Sequence, residues 1–254
     1  MLYPALSDYW NSKTQSMAIV DYQAMLDALD NADYTSIFNE AEEYNEALSS
    51  LDYPLTEYNQ VQGYYDVLNL NSSGMMGYVS INKIGVELPL YHGTSDGVLS
   101  VAIGHLQGTS LPIGGMGTHA VVSAHRGLPS AKLFTDLDKM EVGDTFTITV
   151  LDRTLTYQVD QRRIVMPDDA SLLQLDPKGD YCTLLTCTPY GVNTERLLVR
   201  GRRIETIEHK TIYVTTDGYQ VDVMVVAPIV ALPILFVLMM IVLFKPVKKD
   251  DMED

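Results

Sequence analysis

TLLTCTPYGVNTERLLVRGRR, residues 183–203, is an apolar run that ends on Cys187, a Pro-Tyr-Gly turn, and a second run that alternates apolar residues with arginines. Two such runs separated by Pro and Gly predict a pair of neighbouring strands. Side chains alternate along a strand, so Arg196, Arg200 and Arg202 share one face and Arg203 takes the other. Cys187 then has two readings. A thiol beside cations ionises more readily than its free pKa of about 8.5 allows and becomes a nucleophile. A thiol without them is a small core hydrophobe. Parity does not choose among the first three arginines.

Working outward from this pair, strand signals recur between Gly and Pro turns. GYVSINKIGVELPLY (77–91) predicts two short strands, THAVVSA (118–124) a buried one, and DTFTITVLDRTLTYQVDQRRIVM (144–166) a hairpin turning near Asp152-Arg153. YCTLLTC (181–187) and ERLLVRGRRIET (195–206) complete the set, with short helical pieces expected at 130–140 and 168–175. Many short strands at close spacing predict a barrel or sandwich.

The N-terminal region is different. Ile19, Tyr22, Leu26 and Leu29, then Ile37, Ala41, Tyr44 and Leu48, recur at helical spacing, predicting two amphipathic helices with a break at Asp30-Asn31. Residues 49–71 contain Pro, Gly and aromatics without a period and read as a long loop of the kind that forms lids or binding loops. The net charge of −16 argues against nucleic-acid binding. Eleven acids against Lys13 alone lie within the first 60 residues, so much of that excess belongs to the helices' solvent faces.

Residues 223–244, VMVVAPIVALPILFVLMMIVLF, carry no charge over 22 positions. A helix of this length spans roughly 33 Å, enough for a hydrocarbon core of about 30 Å. Pro228 and Pro233 are tolerated in such spans. Lys245, Lys248 and Lys249 follow at once and place the C-terminus in the cytoplasm, with everything before residue 223 outside the cell. MLYPALSDYW has neither a basic start nor an apolar core of a signal peptide, so a missing N-terminal segment is expected.

Two cysteines are too few for a disulfide framework, and Cys182 and Cys187, five apart, face opposite ways on a strand. A nucleophilic cysteine calls for a histidine partner. His125 stands out in AVVSAHRGLP, at the end of a buried strand and before a turn. His92 and His105 are not excluded by spacing, and His209 lies in a polar connector. The dispersed histidines and acids show no zinc or calcium ligand spacing, so no metal is expected.

TLLTC followed by TPYGVNTERLLVRGRR, together with SAHRGLPSAKLFTDLDKM, HGTSDGVLSVAIGHLQGTSLPIGG and SDYWNS, resembles the class C, pilin-polymerising sortases over nearly the whole chain. The resemblance implies a closed eight-stranded β-barrel, no cofactor, and a Cys–His–Arg catalytic set. On the matching motifs the set is Cys187, His125 and Arg196. It also implies cleavage of an LPxTG-type signal between Thr and Gly, and transfer of the acyl group to a lysine of a pilin subunit. Class C sortases are similar in having a lid with an Asp-Pro-aromatic motif. Here Leu51-Asp52-Tyr53-Pro54 stands at that place, with the aromatic before the proline. The expectation is that Asp52 or Tyr53 plugs the site, Asp52 pairing with Arg196 or His125.

The expected layout is N-terminal helices over 1–48, a lid loop and connector over 49–76, and a catalytic barrel over 77–207. A linker over 208–222, a membrane helix over 223–244 and a cytoplasmic tail over 245–254 complete it. The implied cell is Gram-positive. Two alternatives stand beside polymerisation: a sortase that uses a peptidoglycan amine, and a non-catalytic membrane-tethered adaptor with the acidic helices as its docking surface.

Overall fold

The structure is a computed structural model that describes residues 3–206, apart from 30, 71, 129 and 130, together with 233 and 235–240. The chain divides into two compact units, Met1–Ile207 and Glu208–Asp254. In the second unit, Leu235–Met240 are helical and exposed. Apart from Pro233, the rest of the expected span, with the linker and the tail, lies outside the described residues. Among the described residues no helix is long and apolar enough to cross a membrane.

The first unit is an eight-stranded barrel. Its strands are β1 (Met75–Ile81), β2 (Val86–His92), β3 (Ile103–His105), β4 (Thr118–Ser123), β5 (Thr145–Val150), β6 (Arg153–Val165), β7 (Asp180–Thr188) and β8 (Glu195–Ile204). They close in the order β1-β2-β3-β4-β7-β8-β6-β5. Pairing is antiparallel except β2 with β3 and β4 with β7, which run parallel. A parallel pair needs a crossover. The β2–β3 crossover holds a one-turn helix, whereas β4 and β7 are joined through β5 and β6.

Alternation sorts each strand into inner and outer faces. Cys182, Leu184, Leu197 and Val199 of the β7–β8 pair enter the main core with Ala120, Val122 and Ala124. Val121, Leu173 and Leu198 form a second apolar cluster, with Leu185, Val165, Leu106 and Leu55 against it. That cluster lies on the outer face of the same strands, because its residues alternate with the inner set. Gly201 faces inward where a Cβ would come within 2.6 Å of the Phe146 ring, itself stacked on Tyr157. Glycine there lets the barrel wall close on two large rings.

Helix α1 (Tyr3–Leu26) and helix α2 (Asn31–Ser49) pack on the barrel. Tyr22 is buried against α1's side of the wall, its hydroxyl donating to the Met76 carbonyl and accepting the Leu151 N–H, each at 2.9 Å. A buried tyrosine needs such partners. The second one also secures the β5–β6 turn, where Leu151 has φ 52°, a left-handed conformation costly for leucine. Asn45 of α2 grips the Leu111 backbone through both its amide groups.

The structure departs from the sequence reading in three places. Strand β3 went unread. The helical pieces expected at 130–140 and 168–175 are 3-10 turns, Leu137–Lys139 and Ser171–Leu173. The 49–71 loop contains a helix, α3 (Pro54–Glu57), followed by a 3-10 turn over Tyr58–Gln60.

Candidate active site

Cys187 and Arg196 are Cα partners across the antiparallel β7–β8 pair. Directly opposed residues present side chains to the same face, here the outer one, since inward Thr186 and Leu197 are the neighbouring pair. His125 reaches the same groove as these two from the segment just after β4. The parallel β4–β7 register runs through Ser123 opposite Leu185, and the Ala124 N–H continues it by donating to the Leu185 carbonyl at 3.2 Å. His125 and Cys187 each follow two residues further on, and both line the same groove. All three side chains line one groove of about 710 Å³.

Leu185, Leu198, Leu173, Val165 and Leu106 give this groove an apolar floor. Gly93, Thr94, Ser95 and Gln107 line another part of it. An apolar floor with a few polar groups is the usual build of a ligand cleft.

The four arginines of the opening motif have separate fates. Arg196 Nη1 donates to the carbonyls of Asn193 (3.2 Å) and Glu195 (3.0 Å), so the β7–β8 turn aims the guanidinium without neutralising it. Arg200 is a bidentate partner of Asp160, at 3.0 and 2.8 Å, and stacks over Tyr181. Arg203 donates to Thr156 and Thr206 on β6's side. Arg202 stands opposite Tyr181 and is exposed.

The other histidines are structural. His105 is fully buried between Tyr64 and the Ser110 carbonyl, and desolvation lowers its pKa to about 4. His92 contacts the carbonyls of Val67 and Gly74, and burial lowers its pKa too. His119 spans from the Gln174 carbonyl to Thr183 Oγ1 and is lowered for the same reason. His209 lies outside the described residues. The two cysteines also divide. Cys182 is enclosed in the core, where burial pushes its thiol far above the ordinary range and keeps it protonated. Cys187 is partly exposed.

Asp52 and Tyr53 are the residues expected to plug the site. Tyr53 is 70% exposed, Asp52 is also exposed, and neither lines the groove. Leu55 and Tyr58 do. The reason is the helical turn at α3. The Tyr53 carbonyl accepts the N–H groups of Thr56 and Glu57, and the Tyr53 N–H donates to the Glu57 carboxylate. That turn, opened by Pro54, carries Leu55 and Tyr58 on one face at i, i+3 spacing. Among the described residues Asp52 forms no ion pair with Arg196 or His125.

Two supporting side chains were not singled out from sequence. Thr186 Oγ1 donates to the Ala124 carbonyl at 2.8 Å, and the Arg126 side chain, 8% exposed, donates to Thr188 Oγ1 at 3.3 Å. Neither carries a spacing signal, because both act across strands distant in sequence. Among the described residues no group of three or more His, Cys, Asp or Glu side chains is arranged to hold a metal ion.

Cysteine, histidine and arginine line one outer groove of a closed barrel, and the chain belongs to the sortase family. The family's sortase domain matches residues 79–204. Among solved structures, sortase C1 from Streptococcus agalactiae is 52% identical, with 75% of this chain and 100% of that one covered and a TM-score of 0.71. A pilus-related sortase C of Group B Streptococcus is 42% identical, covering 74% and 97%, with a TM-score of 0.65. Sortase D of Bacillus subtilis (strain 168) is 28% identical over 131 residues, 50% of this chain and 63% of that protein. The chain spans less than two thirds of the length of the curated relatives it matches.

Proposed function

We propose that this chain is a membrane-anchored cysteine transpeptidase. It cleaves an LPxTG-type sorting signal between Thr and Gly and joins the new carboxyl end to a lysine of a pilin subunit. The direct opposition of Cys187 and Arg196 carries the reading. Cys187 Sγ attacks the threonine carbonyl carbon, and the C–N bond to glycine breaks to leave a thioester. His125, as imidazolium, gives its proton to the departing glycine amine. Once neutral, it takes a proton from the incoming lysine amine, whose nitrogen attacks the thioester and releases the Cys187 thiolate. Arg196 donates to the carbonyl oxygen while negative charge builds there. Its tether to two turn carbonyls supports that role, because a pre-aimed donor needs no reorganisation.

The pilin acceptor is favoured over a peptidoglycan amine by the likeness to a pilus-related sortase C and by the lid helix over the groove. The 223–244 segment, with its lysine-rich flank, is the proposed anchor, leaving the barrel outside the cell. Incubation with an LPxTG-type peptide and a lysine-bearing acceptor tests the reading. Cys187→Ala is expected to abolish cleavage, and a thiol-reactive peptide analogue to label Cys187 only when His125 is present. Cleavage retained by Cys187→Ala would sink it.

A further inference from the structure

Arg126 follows His125, yet its side chain is only 8% exposed. Four groups converge on it. Nε donates to the Thr135 carbonyl (3.2 Å), Nη1 to Thr188 Oγ1 (3.3 Å) and Nη2 to the Asp138 carboxylate, while the Tyr190 ring lies 5.9 Å from the guanidinium carbon. Thr188 is the residue after Cys187. One guanidinium therefore ties the residue after the histidine to the residue after the thiol.

The tie sits where backbone pairing stops. The final β4–β7 backbone bond is Ala124 N–H to the Leu185 carbonyl, and the His125 carbonyl is taken by the Phe134 N–H instead. Beyond that point, among the described residues, two side-chain contacts join the strands: Thr186 Oγ1 to the Ala124 carbonyl, and Arg126 to Thr188. His125 and Cys187 line the groove, whereas Arg126, Thr186 and Thr188 do not. The reacting side chains are thus held from outside the groove, which stays open.

We propose that Arg126 is a positioning residue that fixes His125 relative to Cys187 through Thr188; the proposal rests on the sortase reading. Guanidinium suits the task. It stays charged, and its planar fork reaches three acceptors on separate segments at once. A lysine, with one flexible donor group, reaches fewer. A competing role confined to the 126–138 loop would need only the contacts to Thr135 and Asp138, so Thr188 separates the two.

The test uses the full chain with Arg126→Lys, Thr188→Val and their combination, each also made in a His125→Ala background. Single-turnover cleavage of an LPxTG-type peptide is followed alongside steady-state kcat, KM and thermal stability. Displacing a reacting group by a fraction of an ångström to 1 Å costs about tenfold or more. Arg126→Lys and Thr188→Val are each expected to lower the cleavage rate about tenfold, with KM changed less than about twofold. The combination is expected to be no worse than Arg126→Lys alone, because the two share one contact. In the His125→Ala background the added loss disappears. Thr188→Val at the wild-type rate overturns the proposal, as does a full Arg126→Lys loss without His125, or an effect on KM alone. If Arg126→Lys unfolds, Thr188→Val, which changes no charge, decides by itself. Failure of the sortase reading shows up separately, as cleavage that survives Cys187→Ala.

Discussion

Gly108 lies directly beneath Pro54: a Cβ on Gly108 would stand 3.0 Å from the Pro54 carbonyl oxygen and 3.0 Å from a ring carbon of Tyr58. Helix α3 rests on a residue with no side chain. Gly108→Ala should therefore lift α3 from the groove it shares with the partly exposed Cys187, and alkylation of that thiol should become several-fold faster. Its φ of 92° adds strain for alanine, so stability is to be measured in parallel. Leu55→Ala and Tyr58→Ala should act in the same direction, and Asp52→Ala should not. An unchanged rate in all of them means that the lid does not limit access.

The arginines of the opening motif should separate by function. Removing a donor aimed at developing charge costs roughly 10²–10³ in kcat, the loss expected for Arg196→Ala. Arg200→Ala should keep peptide cleavage within about twofold and cost on the order of 1 kcal/mol, because its partner Asp160 is only partly buried. Equal losses of activity would contradict the roles given to them.

The thiols should differ as sharply. Iodoacetamide should modify a single cysteine of the native chain, Cys187, and both after denaturation. Cys182 is enclosed and protonated, and the thiolate is the reactive form. Peptide mapping of the labelled residues checks this directly.

Acid should destabilise the barrel through its buried histidines. His92, His105 and His119 all have pKa values lowered by burial, so the unfolded chain binds more protons than the folded one below about pH 6.5. Their contribution is fully present above pH 6.5 and is lost as pH falls; for His105, with a folded pKa of about 4, the loss continues down to that pH. A group shifted that far contributes on the order of 3 kcal/mol across the window. Thermal unfolding at pH 7, 6, 5 and 4.5 should give a falling midpoint. A flat profile would mean that these imidazoles are charged in the folded state.

His119 also holds a wall of the groove. Its bond to the Gln174 carbonyl anchors the segment after β6, from which Asp169, Ala170 and Leu173 line the cavity. His119→Ala leaves buried partners unpaired, a loss of about 1–3 kcal/mol. KM for the peptide should rise more than kcat falls.

The sequence showed the barrel wherever alternation had room to repeat. The β5–β6 hairpin and the β7–β8 pair run six to thirteen residues per strand, enough for a period of two to stand out. Strand β3 has three residues and no period to find. At 130–140, Phe134 and Leu137 enter the core, but the chain turns too tightly there for a full helix. Parity puts Arg196 on one face with Arg200 and Arg202, yet its opposition to Cys187 depends on register, which the motif does not encode by itself. The nearness of His125 depends on a parallel pairing between strands separated by two others in sequence. The lid was read through its acid and its aromatic, and it is the LTEY turn, unremarkable in composition, that faces the groove.

Cys187, Arg196 and His125 stand on or beside strands of a closed barrel, whereas Leu55 and Tyr58 stand on one short turn resting on Gly108. The cysteine, histidine and arginine of the groove and the turn that borders it thus belong to different parts of the molecule. Access can drift through changes at residues 54–58 or 108 while the reacting atoms keep their spacing.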